Sequence, residues 1–341
     1  MKEYILEKYK EFEFVLLSDV AESEYIKYFQ DMGIEVRTQG RATYRSAGVY
    51  GYFSFIQKQL DKIKPDIFWE VNTVIPITLR GSFKTMITVH DMFPIEYVQY
   101  FGRVYSLYFR HSLAKTLKNT DMILYNSEQT KKTTEKLFPE AKNIANCNAY
   151  IIANPHKEKY VTADKGYLLY VGNMEKRKGV DLLLKAYPHY RQLGGTKPLI
   201  LAGKMQEEDI RQLLENTMNT TEGIKYLDYV THEKKHQLFA DCSCFPSKAE
   251  GFGMPVIEAM KFKKPILISN LDIYDELIGP CVNEFDLNAT ENVQIDNLAH
   301  AMLDFKTEVD VDRYEEVVDR YSPAKLGNIV RQFINSQNYG G

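Results

Sequence analysis

Several scarcities narrow what this chain can do. Only four of its 341 residues are cysteine: Cys147, Cys242, Cys244 and Cys281. They are scattered and form no C-x-x-C pair, which excludes a disulfide scaffold and a thiolate zinc site and leaves buried, reduced thiols of a cytoplasmic protein. Cys242 and Cys244 alternate with Ser243 along a candidate strand at 241–246. No apolar run approaches the ~18 residues of a membrane span, and the opening Met-Lys-Glu-Tyr is charged, unlike a signal peptide. A large excess of either charge is also missing. The formal net charge of −3 gives no reason to expect nucleic acid as a partner. Histidine, cysteine and carboxylates never cluster with metal-ligand spacing, so no resident metal is expected. The pair Asp310-Val311-Asp312 sits at a predicted helix start, where an N-cap role accounts for it. Low-complexity tracts and short repeats are absent too.

What is present is an ordinary globular composition, 44% hydrophobic and 26% charged. A chain of this length outgrows a single core, so two domains are expected. Short apolar runs alternate with amphipathic stretches, the pattern of parallel sheets flanked by helices. In the first half, strands are predicted at 14–17, 66–69, 85–89 and 122–125. A polar stretch at 142–165 containing Asn154-Pro155 reads as a linker. A second α/β unit follows, with strands at 167–171, 199–202, 224–227, 242–245 and 265–268. The chain is helical after Asp310, breaks at Tyr321-Ser322-Pro323, and ends in a helix over 324–334. The divisions expected are 1–152, 153–320 and 321–341.

The most informative run is Phe245-Pro-Ser-Lys-Ala-Glu250-Gly251-Phe252-Gly253-Met254-Pro255-Val-Ile-Glu258. Two glutamates flank a Gly-x-Gly turn that opens a helix, and Pro255 suits the first helical turn because its missing N–H would be unpaired there. Gly251 and Gly253 allow the backbone close to a ligand. The amides of Gly253 and Met254, backed by the positive helix end, make an anion site, with phosphate the chemistry that fits. Carboxylates on either side accept hydrogen bonds from hydroxyls. Phosphate flanked by polyhydroxyl groups describes a sugar nucleotide. Farther upstream, Arg177 and Lys178 in Gly172-Asn173-Met-Glu-Lys-Arg177-Lys178-Gly179 fall at a predicted helix start, where the dipole disfavours cations and an anion nearby would make sense of them. His90 follows an apolar run and precedes Asp91, at a strand end where open α/β sheets bind ligands.

These runs, together with Lys264-Pro265-Ile-Leu-Ile-Ser269 and Ile87-Thr-Val-His90-Asp91, resemble the signature of family 4 retaining glycosyltransferases, and the likeness extends over nearly the whole chain. It implies the GT-B fold, α/β with two Rossmann-like doubly wound domains and a donor cleft between them. The first domain would take the acceptor and the second the nucleotide sugar, with the final helix crossing back to the first. It also implies roles: Glu250 for donor-sugar hydroxyls, Glu258 for ribose, Lys178 and Arg177 for the diphosphate, and His90 near the sugar and the leaving phosphate. Gly172, Asn173, Gly251, Phe252, Gly253 and Met254 would line the donor site. Catalysis would be front-face displacement, with no cofactor beyond the nucleotide-sugar substrate and no metal. A sugar or lipid-linked sugar would accept the hexose, in surface-polysaccharide or glycoconjugate assembly. A non-catalytic sugar-nucleotide binder and a GT-B epimerase are the alternative readings.

Two features depart from that pattern. Relatives open with a strand and a glycine-rich loop, whereas this chain starts with a predicted helix at 4–12 and goes directly to a second strand, so the first βα unit is expected to be missing. Gly40 and Gly48 fall in a later loop at 38–51. The window 97–120 holds no acidic residue. It carries Arg103, Arg110, Lys115 and Lys118 interleaved with Tyr100, Phe101, Tyr105, Tyr108 and Phe109. A core helix with a basic rim and a patch for a membrane surface or acidic acceptor fit it equally well, the latter implying peripheral contact at the inner membrane face.

Overall fold

The structure, a computed structural model, describes residues 12–40, 46–149, 166–239 and 242–338. The chain divides into two compact units, Met1–Asn154 with Tyr321–Gly341, and Pro155–Arg320.

In the first unit, β1 (Val15–Ser18) pairs in parallel with β2 (Glu35–Thr38), and β3 (Ile67–Glu70), β4 (Lys84–Val89), β5 (Met122–Tyr125) and β6 (Ala145–Asn148) form a parallel sheet in that order. Helices cover both faces, which is why β5 reads as an unbroken apolar run. The two-residue alternation of a strand divides the core. Ile87, Val89, Ile123 and Tyr125 pack with Phe53, Ile56, Phe109 and Leu113. Met86, Met122 and Leu124 pack with Val330 and Ile334 from the last helix, Pro323–Asn338.

The second unit is a six-stranded parallel sheet with the order β12-β11-β10-β7-β8-β9. Its strands are β7 (Leu168–Val171), β8 (Leu199–Ala202), β9 (Ile224–Leu227), β10 (Cys242–Phe245), β11 (Ile266–Ser269) and β12 (Asn283–Phe285). The chain enters at the middle, runs outward through β9, and returns beside β7 to run outward the other way. Strand order therefore reverses between β7 and β10. At such a reversal the two connecting loops diverge and leave a crevice at the carboxyl ends of the strands, the usual place for a ligand in open α/β sheets.

The structure corrects three sequence expectations. The proposed linker at 142–165 begins too early, because Ala145–Asn148 is a strand registered on β5; its remainder, 150–165, lies outside the described residues. Gly48 is helical, in Ser46–Ile63, rather than in a loop. Strands β2 and β12 were not expected, since Glu35-Val-Arg-Thr and Asn283-Glu-Phe are short and polar and gain their ladders only from apolar neighbours. The helix expected at 4–12 lies, Phe12 apart, outside the described residues.

Candidate active site

The loops after β7 and β10 meet in the crevice of the second unit. A small pocket there is lined by Tyr170, Val171, Gly172 and Lys178 from one side and Phe245, Ser247, Glu250, Pro255 and Val256 from the other, with Tyr274. Two glycines set its backbone. Gly179 is left-handed (φ 69°), and a Cβ there would overlap the Pro246 carbonyl. Gly253 is also left-handed (φ 82°) and caps the helix Met254–Met260; a Cβ would lie 2.6 Å from the Tyr274 ring. Each is a close approach that any side chain would prevent.

Charge is concentrated where the loops touch. Lys178 Nζ donates to both oxygens of Glu250, at 2.7 and 2.8 Å, and Ser247 Oγ donates to Glu250 Oε1 at 2.6 Å. The Glu250 side chain is 7% exposed. Ser247 is held in turn, its carbonyl accepting from Ser269 Oγ at the end of β11. Arg177 joins the same two loops, its guanidinium donating to the Ala249 carbonyl at 3.0 Å and to Glu175 Oε1 at 2.6 Å. The Arg177 carbonyl accepts from the Lys248 amide at 2.8 Å, and Lys248 Nζ donates to Asp181 Oδ2 at 2.6 Å. Glu258 pairs with Lys235 Nζ at 2.8 Å. Burial, reinforced by the Glu250 carboxylate, raises the Tyr170 and Tyr274 phenols well above their usual range and keeps them neutral.

Of the residues singled out in the sequence, Gly172, Lys178 and Glu250 line the pocket. Arg177 fastens the loops beside it. Asn173 is exposed, and its carbonyl accepts from Tyr170 Oη at 2.7 Å. Phe252 buries its ring, and Gly251 and Met254 belong to the turn and the helix start without lining the pocket. The helix-dipole argument for Arg177 and Lys178 does not hold. They form a single 3-10 turn, Lys176–Lys178, before the helix Val180–Gln192, and protein carboxylates already neutralise them. Sequence reasoning missed Ser247, Lys235, Asp181 and Lys248. Of these, Ser247 and Lys248 lie inside the motif, three and two residues ahead of Glu250, while Lys235 and Asp181 left no signal.

His90 belongs to the first unit, just past β4. Its Nε2 lies 2.8 Å from the Val71 carbonyl. Asp91 accepts from the Phe93 amide at 3.0 Å and so caps the next turn. Asp310 caps its helix through the Arg313 amide at 3.0 Å. In the window 97–120 the helix Arg103–Leu117 buries Ser106, Phe109, Ser112, Leu113, Thr116 and Leu117. Its opposite face exposes Val104 (85%), Leu107 (69%), Tyr105 and Tyr108 beside the exposed Arg103 and Arg110. The core-helix reading of that window thus holds for one face, while the other face is exposed, apolar and edged by cations. No helix among the described residues is long and apolar enough to cross a membrane.

Residues 153–315, which hold the pocket, fit the family model for glycosyl transferases group 1. O-antigen chain mannosyltransferase B of Escherichia coli is 33% identical over 233 residues, which are 63% of this chain and 60% of that protein. O-antigen chain mannosyltransferase RfbU of Salmonella typhimurium is 23% identical over 67% of this chain and 63% of its own length. The chain therefore spans less than two thirds of either relative. Among solved structures, WaaG, a glycosyltransferase involved in lipopolysaccharide biosynthesis, superposes with a TM-score of 0.64 at 15% identity, covering 96% of this chain and 100% of that one. Sucrose-phosphate synthase of Thermosynechococcus elongatus gives 0.70 at 14% identity, covering 96% and 99%. Residues 153–315 thus carry a domain of the glycosyl transferases group 1 family, and the chain as a whole has the GT-B fold that these solved structures share.

Proposed function

We propose that this chain transfers a hexose, mannose being the sugar in the names of both relatives, from a nucleotide donor to an acceptor hydroxyl in the assembly of a bacterial surface polysaccharide, retaining anomeric configuration and needing no metal. The observation that carries this reading is the Lys178–Glu250 pair at the strand-order reversal of the second unit. An ammonium has three donors, and two to Glu250 leave a third for a phosphate oxygen. Glu250 keeps lone pairs for sugar hydroxyls. A phosphate and a sugar thus find partners side by side, and Arg177 supplies further positive charge to a leaving diphosphate. Glu258, one helical turn on, is assigned to ribose. With cations fixed in place before the reaction, charge that develops on the diphosphate is stabilised without reorganisation. His90 is assigned to the same reaction at the reacting sugar.

The exposed Val104–Tyr108 face, edged by Arg103 and Arg110, is assigned to an anionic membrane surface that presents a lipid-linked acceptor to a cytoplasmic enzyme. To test the activity, UDP-, GDP- and dTDP-sugars are screened by thermal shift, since a donor at 100 times its Kd stabilises by about 2.7 kcal/mol. The donor that binds is then incubated with a mannose-terminated acceptor, with and without EDTA. Release of nucleoside diphosphate that depends on acceptor and survives EDTA is expected. Binding without acceptor-dependent release, or a rate restored only by Mg²⁺ or Mn²⁺, overturns the corresponding part of the reading.

A further inference from the structure

Glu70 is the last residue of β3 and 5% exposed, a carboxyl group buried in the first unit where no salt bridge is found to hold it among the described residues. Such a group is costly unless it works for its place. Its hydrogen bonds are local. Oε1 accepts from the Asn72 amide and from Asn72 Nδ2, both at 3.1 Å. The β3–β4 ladder ends at Glu70 opposite Ile87, so Val71 and Asn72 lie beyond its support. Nothing in the ladder fixes where the Val71 carbonyl points, yet that carbonyl meets His90 Nε2 at 2.8 Å. The far end of the turn is tied as well, with Thr73 Oγ1 donating to the Thr88 carbonyl at 3.2 Å. The His90 backbone is tied on both sides, its amide donating to Thr73 Oγ1 of the same turn at 3.5 Å and its carbonyl accepting from Asn126 Nδ2.

We propose that Glu70 is a positioning residue for His90: by clamping the 70–73 turn through Asn72, it aims the Val71 carbonyl at the imidazole and fixes the ring with its proton on Nε2. A carbonyl oxygen only accepts, so Nε2 must carry a hydrogen, and in the neutral ring Nδ1 is then the accepting nitrogen. Ring tautomer and orientation are set by the partner of the other nitrogen, here a backbone carbonyl whose direction depends on one buried carboxyl group. Burial pushes the Glu70 carboxyl up to about 7. Either protonation state keeps an accepting oxygen for Asn72, so the clamp does not require the charge.

The link to the tautomer stands on geometry alone, while its consequence for catalysis rests on the role assigned to His90 above. The test uses the full chain with ¹⁵N-labelled histidine and variants Glu70→Gln, Glu70→Leu and Asn72→Ala. Each is checked for folding by thermal unfolding. Two-bond ¹H–¹⁵N spectra report which ring nitrogen is protonated. Wild type and Glu70→Gln, which keeps an accepting oxygen, are expected to show His90 protonated on Nε2. Glu70→Leu is expected to show averaged ring nitrogens and about tenfold lower kcat with little change in KM. Asn72→Ala, which removes one of the two clamping bonds, should fall between them and serves if Glu70→Leu does not fold. In a His90→Ala background, Glu70→Leu should cost no further kcat. An unchanged His90 spectrum in folded Glu70→Leu and Asn72→Ala overturns the proposal. A His90→Ala enzyme of wild-type rate overturns the catalytic role of His90 but leaves the tautomer result standing.

Discussion

Glu250 and Glu258 sit eight positions apart in one motif yet meet different surroundings, and their substitutions should separate. Glu250 holds Lys178 and Ser247 at the pocket, and Glu258, which does not line it, holds Lys235. Glu250→Ala is expected to lower kcat tenfold or more, and Glu258→Ala to raise the Kd for nucleotide by a similar factor, since a charged hydrogen bond contributes about 1.5–3 kcal/mol. Steady-state kinetics and nucleotide titration check both, and unchanged constants in either variant would remove that residue from the site. Glu70 makes a second prediction, about pH. Its carboxyl rises from 4.5 unfolded to about 7 folded because burial disfavours the charge, and Tyr52 is the titratable neighbour on that side. The folded state therefore holds the extra proton between those values. Stability from this group is complete below pH 4.5 and lost as pH rises through 7, a change of roughly 3 kcal/mol. Glu70→Gln carries no such proton. Its Tm relative to wild type should rise steadily between pH 4.5 and 7.5, and a constant difference would show that Glu70 titrates normally.

At the scale of elements, the site is two loops sewn together, and glycine sets how closely they lie. Gly179 joins the 3-10 turn to the helix Val180–Gln192 with a left-handed backbone, its α-carbon against the Pro246 carbonyl. Gly179→Ala adds a methyl where backbone stands and imposes a strained φ, so it should destabilise by about 2–4 kcal/mol. It should also weaken donor binding by displacing Lys178 from Glu250. Differential scanning calorimetry and nucleotide titration would show both losses, and a fully stable variant would mean that the loops separate easily. The sequence disclosed the motif glycines, Lys178 and Glu250 because turn chemistry is local. It disclosed β5 and β10 because strands buried on both faces are apolar throughout. It did not disclose β2, β6 or β12, whose hydrogen bonds depend on neighbours distant in sequence. The Lys235–Glu258 and Lys248–Asp181 pairs were hidden likewise, joining residues 23 and 67 positions apart. Partnership of that kind is a property of the folded topology, and a lysine's type says nothing of it.

For the whole molecule, the apolar face of Arg103–Leu117 is the feature least explained by folding. Val104 and Leu107 expose most of their side chains, Tyr105 and Tyr108 stand beside them, and no acid lies within 97–120 to repel an anionic surface. The opposite face is already anchored by Phe109, Leu113 and Leu117, so the exposed residues are not needed for the core. Each cation near an anionic bilayer gains roughly 1 kcal/mol, screened by salt, and inserted apolar side chains add to it. Co-sedimentation with phosphatidylglycerol-containing liposomes is therefore expected, weaker with neutral lipid and at high salt. Arg103→Ser with Arg110→Ser should flatten the salt dependence. Val104→Ser with Leu107→Ser should lower binding at every salt concentration, because insertion is apolar. Equal sedimentation of wild type and both variants, or indifference to lipid charge, would sink the membrane assignment. The polysaccharide reading of the second unit would survive that result, with a soluble sugar in place of a lipid-linked one as the acceptor.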